Sequence, residues 1–238
     1  MAATPNPVQE RLAAVRERIR AACGQSGRSP DSVRLIAVSK TFPAEAVRAS
    51  MLAGQRDFGE NYVQEAVDKI AELRNAATAQ GEPPCWHFIG PLQSNKTRPV
   101  TQNFEWVHSV EREKIAARLS EQRDAHLPAL QVCIQVNVSG ESSKSGVAPA
   151  EVERLAAAVA ALPRLALRGL MAVPEPTDDA SLQRRRFAQL RSILERLNAS
   201  GFGLDTLSMG MSADLEAAIE EGATMVRIGT AIFGERRP

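Results

Sequence analysis

Several common functions find little to work with in this sequence. Cysteine occurs only as Cys23, Cys85 and Cys133, an odd number with no CxxC pair, which excludes a disulfide framework and fits a reducing, cytoplasmic setting. Histidine is as scarce: His87, His108 and His126 form no cluster with cysteine or aspartate at metal-ligand spacing, so no zinc site is expected. Aromatic residues make up 4% of the chain, too few for a stacking platform along a single nucleic-acid strand. Charge of one sign is missing too: 29 Lys+Arg face 28 Asp+Glu, a net charge of +1 that lacks the basic footprint of a nucleic-acid binder. No apolar run approaches the length of a membrane span. The opening MAATPNPVQERLAAVRERIR has no apolar core of a signal peptide, so neither membrane nor export is expected. No G-x-G-x-x-G follows the first strand-like run, which argues against an open dinucleotide-binding sheet.

What is present is ordinary globular composition, 44% hydrophobic and 24% charged, in an alternating order. An amphipathic helix is expected over Pro7–Cys23, with Val8, Leu12, Val15 and Ile19 at helical spacing, stopped by Gly24, Gly27 and Pro30. Strand-like runs follow at 33–39, 56–59, 86–89, 104–108, 130–138, 166–173, 206–209 and 225–228, with a helix-like segment in each gap. Strands separated by helices pair in parallel, and eight of them close most naturally into a (β/α)8 TIM barrel of the α/β class. Such a barrel takes about 250 residues. One domain is therefore expected to span residues 1–238, the barrel preceded by its N-terminal helix. The runner-up is an open doubly wound sheet, since 56–59 is weak strand by composition.

Chemistry in barrels collects at the C-terminal ends of strands. The first run, VRLIAVSK, ends on Lys40, and a period of two puts Ile36, Val38 and Lys40 on one face. A lysine at an apolar rim has its ammonium form disfavoured, which suits attack on a carbonyl; a lysine snorkelling to water is the plain alternative. Asn61 is either the N-cap of the next helix or a donor to a ligand. His87, between Trp86 and Phe88, is a satisfied core histidine or stacks on a flat ligand. Ser94 is a plausible cap for the helix after it. LSMGMSADLEAAI puts Ser208 at a strand end and Ser212 just before a helix, where capping is its simplest use. TMVRIGTAIFG ends a strand on Arg227 and opens a turn with Gly229 and Thr230. Small residues after strands seven and eight commonly hold a phosphate. A buried arginine needs either a barrel acid or a ligand acceptor. A carbonyl-reactive lysine, a phosphate cup and an arginine at one mouth together fit a phosphorylated aldehyde such as pyridoxal 5′-phosphate.

At these residues the chain resembles a known family. The stretches LIAVSKTFP, FGENYVQEA, WHFIGPLQSNK, NVSGESSKSG, GLMAVPE and LSMGMSADLEAAIEEGATMVRIGTAIFGER, spread from Leu35 to Arg236, closely resemble the pyridoxal-phosphate homeostasis proteins. These are single-domain relatives of the alanine racemase barrel. The resemblance implies that Lys40 carries pyridoxal 5′-phosphate as an internal aldimine and that Ser208, Gly229 and Thr230 contact the phosphate. It implies that Asn61 and Met209 line the site and that Arg227 faces the pyridine nitrogen. It leaves open whether Ser212 or His87 touches the cofactor. The family has no established enzymatic activity and tunes cofactor supply.

An arginine can only donate, so the ring nitrogen would accept and the cofactor would be a weak electron sink. Racemisation needs a base on each face of the substrate carbon. In the barrel racemases the second base is a tyrosine from another domain, for which these 238 residues leave no room. The only tyrosine is Tyr62. The expectation is a cytoplasmic, monomeric cofactor-holding protein that hands pyridoxal phosphate to apoenzymes, with no metal, nucleic acid or membrane. The alternatives are a weak racemase using one lysine and water, and a Schiff-base aldolase without the cofactor. Of the five lysines (Lys40, Lys69, Lys96, Lys114, Lys144), only Lys40 is placed for this chemistry; Lys144, in the Gly/Ser-rich loop, is a surface residue or a transient second acceptor of the aldehyde.

Overall fold

A computed structural model describes residues 7–78, 81, 83–140 and 145–235. Eight short strands form a closed, all-parallel barrel in sequence order: β1 (Arg34–Val38), β2 (Asp57–Glu60), β3 (Cys85–Phe88), β4 (Trp106–Val110), β5 (Leu130–Gln135), β6 (Leu165–Met171), β7 (Thr206–Ser208) and β8 (Met225–Ile228). Closure is between β8 and β1, where Met225 to Ile228 run in register with Arg34 to Ala37. The helices are α1 (Pro7–Gln25), α2 (Ala44–Leu52), α3 (Val63–Thr78), α4 (Thr97–Asn103), α5 (Glu113–Gln122), α6 (Val152–Ala160), α7 (Ala180–Ala199), α8 (Leu215–Glu220) and α9 (Thr230–Phe233). This is the expected (β/α)8 barrel with an N-terminal helix. No helix among the described residues is long and apolar enough to cross a membrane.

The period of two in each strand divides the apolar residues between two layers. Ile36, Trp106, Cys133, Met171 and Met225 point into the barrel and pack on one another. Leu35, Ala37, Phe58, Phe88, Val132, Ile134, Val226 and Ile228 point outward into the larger core under the helices. The run 56–59 reads poorly as a strand because the two inward positions of β2 are Asp57, paired with His87, and Gly59, whose missing side chain leaves room for Ile36 and Ile89. Its pairing to both β1 and β3 makes it a strand regardless.

α1 buries Leu12, Val15, Ile19, Ala22 and Cys23 and packs against α2, α8 and α9. Its arginines tie it to the last barrel units. Arg18 forms a two-pronged contact with Glu216 (2.9 and 3.0 Å) and donates to the carbonyl of Ser212 (3.0 Å). Arg28, just beyond the helix, donates to the carbonyls of Ile219 and Ala223 at 2.8 Å each, satisfying acceptors at the C-terminal end of α8. Three capping expectations fail. α8 starts at Leu215, with Asp214 as the boundary residue, so Ser212 is no cap. Ser94 opens a 3₁₀ turn and gives only its carbonyl, to Thr97 Oγ1. The Asn61 side-chain oxygen has no hydrogen-bond partner, so it does not cap α3.

Candidate functional site

The loops after β1, β2, β3, β6, β7 and β8 enclose a cavity of about 310 Å³ at the C-terminal end of the barrel, lined among others by Lys40, Asn61, Ser212, Arg227, Gly229 and Thr230. Its walls are Val38, Phe42, Ile89, Val173 and Met211. The cavity lies at the lower end of the size range of small-molecule pockets and has their character, an apolar lining with a few convergent polar groups.

Lys40 comes two residues after the end of β1 and keeps the inward phase of Ile36 and Val38. The turn that carries it is gripped from outside the barrel. Lys69, on α3, is 5% exposed and donates to the carbonyl of Ser39 (2.8 Å), to Glu60 Oε1 (2.7 Å) and to Glu65 Oε1 (3.0 Å). The Ser39 hydroxyl donates to the same Glu60 oxygen (2.7 Å), and the N–H of Thr41 donates to Glu65 Oε1 (2.6 Å). Thr41 sits at φ +67°, a conformation L-residues rarely adopt, so this clamp offsets local backbone strain next to the lysine. Burial pushes the Glu60 carboxyl above the usual carboxylate range, with Lys69 acting in the opposite direction. Lys69 is thus a buried structural lysine, a role its linear sequence context does not mark.

Asn61 is brought in by Gly90. A Cβ at position 90 would lie 2.4 Å from the carbonyl oxygen of Asn61 and 2.7 Å from its Cα, so the two main chains touch where only glycine fits. The buried side-chain oxygen of Asn61 has no partner within the protein, although the residue lines the cavity. An orphaned acceptor there is an open position for an O–H or N–H of a ligand.

Arg227 enters from β8. Its Nη1 donates to Ser208 Oγ (2.7 Å) and its Nη2 to the carbonyl of Ala172 (2.8 Å). No carboxylate lies within ion-pair distance of it among the described residues, which sets aside the barrel-acid alternative. Burial lowers its pKa to about 10, against an opposing pull from Asp214, so it is still cationic at neutral pH. Gly229 and Thr230 open the short α9, whose first N–H groups have no intrahelical acceptor, as at any helix start.

The remaining site expectations divide. Ser212 lines the cavity. Ser208 is fully buried beneath it, its hydroxyl taken up by Arg227 and by His108 Nδ1 at 2.8 Å. Met209 is fully buried in the outer core, and its N–H donates to the carbonyl of Met225 (3.1 Å). Neither Ser208 nor Met209 is among the residues lining the cavity. His87 lies inside the barrel, 5.6 Å from Trp106 and nearly parallel to it, with Nδ1 3.0 Å from His108 Nε2 and Nε2 3.0 Å from Asp57 Oδ1. It is the satisfied core histidine of the two readings. Register also gathers Asp57, Cys85 and His87 with ligand atoms within 4.8 Å of one another, a group the linear spacing does not reveal. Arg34 stands 3.5 Å from that carboxylate, and burial drives the Cys85 thiol far above its usual range. Tyr62 is exposed and outside the cavity lining. Lys144 and Arg236 lie outside the described residues.

This architecture, a parallel eight-stranded barrel with a lysine after its first strand and an arginine on its last, falls in a defined class. The family described as "Alanine racemase, N-terminal domain" matches residues 11–237. The alanine racemase of Corynebacterium glutamicum shares the fold at 18% identity and a TM-score of 0.68, covering 94% of this chain and 62% of that one. Within the class the relationship is closer. The pyridoxal phosphate homeostasis protein of Pseudomonas aeruginosa is 62% identical over 229 residues, 96% of each chain. That of Escherichia coli K12 is 53% identical over 231 residues, 97% of each. The structure of PipY from Synechococcus elongatus, with PLP bound, matches at 37% identity and a TM-score of 0.81 over 95% of this chain and 100% of that one. The chain belongs to the pyridoxal phosphate homeostasis protein family.

Proposed function

We propose that the chain holds pyridoxal 5′-phosphate in the barrel-mouth cavity through an imine to Lys40 Nζ. It thereby serves intracellular pyridoxal phosphate homeostasis without catalysing a reaction of its own. The observation that carries this reading is the convergence of Lys40, Asn61, Arg227 and Thr230 on one cavity of about 310 Å³. The bound form of PipY and the names of the bacterial relatives support it. The residues present fit the group: the unpartnered Asn61 oxygen can accept from it, and Gly229 and the Thr230 hydroxyl at the start of α9 line the cavity where its phosphate would lie. When bound, the cofactor would supply an aldehyde carbon, and Lys40 Nζ would be the amine that holds it as an imine with loss of water. Ser208 supports this site from below by holding Arg227, and Met209 by fixing β7 to β8; these are indirect roles rather than direct contacts.

Two features favour holding over catalysis. Arg227 only donates, so a ring nitrogen against it stays unprotonated and the ring is a weak electron sink. Among the described lining residues, Lys40 is the one side chain suited to moving a proton at neutral pH, and Tyr62 stands outside the cavity. The free cysteines Cys23, Cys85 and Cys133 support a cytoplasmic location. We further propose that the protein acts as a monomer and releases the cofactor to apoenzymes.

The test uses the purified protein with added pyridoxal phosphate. An imine absorbance band that disappears on borohydride reduction is expected; no band under any loading overturns the binding reading. Incubation of the loaded protein with single-enantiomer alanine in deuterated water should leave Cα deuterium-free over many hours. Multiple-turnover exchange would overturn the non-catalytic part and leave the binding part standing.

A further inference from the structure

We propose that Asp57, His87, His108 and Ser208 form a one-directional hydrogen-bond chain through the barrel interior that positions Arg227 at the cavity. His87 and His108 are then positioning residues for the binding site. The chain runs Arg227 Nη1 to Ser208 Oγ (2.7 Å), Ser208 Oγ to His108 Nδ1 (2.8 Å), His108 Nε2 to His87 Nδ1 (3.0 Å) and His87 Nε2 to Asp57 Oδ1 (3.0 Å). The four inner members are inward-facing residues of β8, β7, β4 and β3, and Arg227, Ser208, His108 and His87 are all buried.

Chemistry fixes the direction. A guanidinium has no acceptor, so Ser208 Oγ must accept from Arg227 and spend its own proton on His108 Nδ1. A neutral imidazole with Nδ1 accepting carries its proton on Nε2, which donates to His87 Nδ1. His87 in turn carries its proton on Nε2 and donates to the carboxylate of Asp57. The reverse order would set an unprotonated Nε2 against an ionised carboxylate and leave the serine proton without an acceptor. Arg34 Nη1 stands 3.5 Å from Asp57 Oδ1 and closes this end of the chain with a cation. Burial lowers the pKa of both histidines, His108 the further, which keeps them in the neutral form that the chain requires. Every link is polarised in the same sense, from a cation at the cavity to an anion at the other end of the barrel, and hydrogen bonds so aligned strengthen one another. The acid that acts on Arg227 through space is Asp214, while the chain holds Nη1 to one acceptor, Ser208 Oγ, which fixes the edge turned to the ligand.

The functional part of this inference rests on the pyridoxal phosphate reading; the chain itself does not. The direction is tested on the unliganded wild-type protein by nitrogen-15 NMR of the imidazole rings. Only one other histidine is present, the exposed His126, so the two buried rings are separable. Both should be neutral Nε2–H tautomers with downfield ring protons. An Nδ1–H tautomer or an imidazolium at either position overturns the chain. The positioning role is tested with His108→Phe and His108→Gln in parallel, reading pyridoxal phosphate retention and the imine band. His108→Phe should weaken retention by about tenfold, the equivalent of one charge-assisted hydrogen bond, and shift the band. His108→Gln, whose amide can accept and donate in the same places, should recover most of both. Retention and band unchanged in a folded His108→Phe protein overturn the positioning role. If that variant does not fold, Ser208→Ala cuts the same chain one link nearer Arg227 and is read in its place, with weakened retention expected and unchanged retention overturning the positioning role. Wild-type protein that takes up no pyridoxal phosphate defeats the functional reading, while the tautomers still judge the chain.

Discussion

Replacing Lys69 with methionine probes the clamp that holds the Lys40 turn. Methionine has nearly the length of the lysine stem, so the packing of α3 is kept and the charge is deleted. All three ammonium protons of Lys69 are in use, on Ser39, Glu60 and Glu65. Glu60 is fully buried and its second oxygen already has no partner. Removing one member of a buried ion pair costs about 3–5 kcal/mol, because the other charge is left without compensation. For a chain of this size each kcal/mol shifts Tm by about 2–4 °C, so a drop of at least about 6 °C is expected. The pH dependence has a definite sign. Burial already raises the Glu60 pKa and Lys69 holds it down, so without Lys69 it rises further. The penalty is therefore full where Glu60 remains ionised in the folded variant and shrinks as pH falls and the carboxyl takes up a proton. Thermal unfolding of both proteins between neutral and mildly acid pH measures this. Adding Glu60→Gln to Lys69→Met should recover part of the loss. A Tm within 2 °C of wild type, or a penalty that grows on acidification, would refute the reasoning.

Other outcomes follow from single contacts. Arg227→Met deletes a buried cation that has no carboxylate within ion-pair distance among the described residues. Relief of its desolvation should offset the two lost hydrogen bonds, leaving Tm within about 3 °C while pyridoxal phosphate retention falls; a collapse of Tm would make Arg227 a structural strut instead. Gly90→Ala forces a Cβ onto the main chain of Asn61 and should cost about 1–3 kcal/mol together with weaker retention, both read in one ligand-dependent melting series. Gly24→Ala, in α1 with nothing within 4 Å of the added Cβ, should act oppositely and stabilise by about 0.5–1 kcal/mol.

The fold was legible wherever apolar periodicity was strong. Residues 225–228 were read with the bounds of β8, and the helical spacing of Leu12, Val15 and Ile19 located α1. The run 56–59, observed as β2 over Asp57–Glu60, was the weak case because its inward positions are a charged residue and a glycine, which removes the signal that marks a strand. The cavity residues Lys40, Asn61, Arg227, Gly229 and Thr230 were legible because each falls at the end of a strand or one turn beyond. What supports them was not. Lys69 looks like any charged residue of an exposed helix until Glu60 is placed against it across the β2–α3 turn, though Glu65 and Lys69 at i, i+4 were a visible pair. His87 and His108 stand 21 positions apart, and only the β3–β4 register brings them into contact. Their shared inward phase on consecutive strands was the available sign.

The central claim is that Lys40 bonds the cofactor. It is tested most directly by loading the protein with pyridoxal phosphate, reducing with borohydride and mapping the modified peptide by mass spectrometry. The adduct is expected on Lys40, in the peptide carrying LIAVSKTFP, and should be lost in a folded Lys40→Ala protein. An adduct at stoichiometric yield on another of the five lysines, or none at all, would contradict the account.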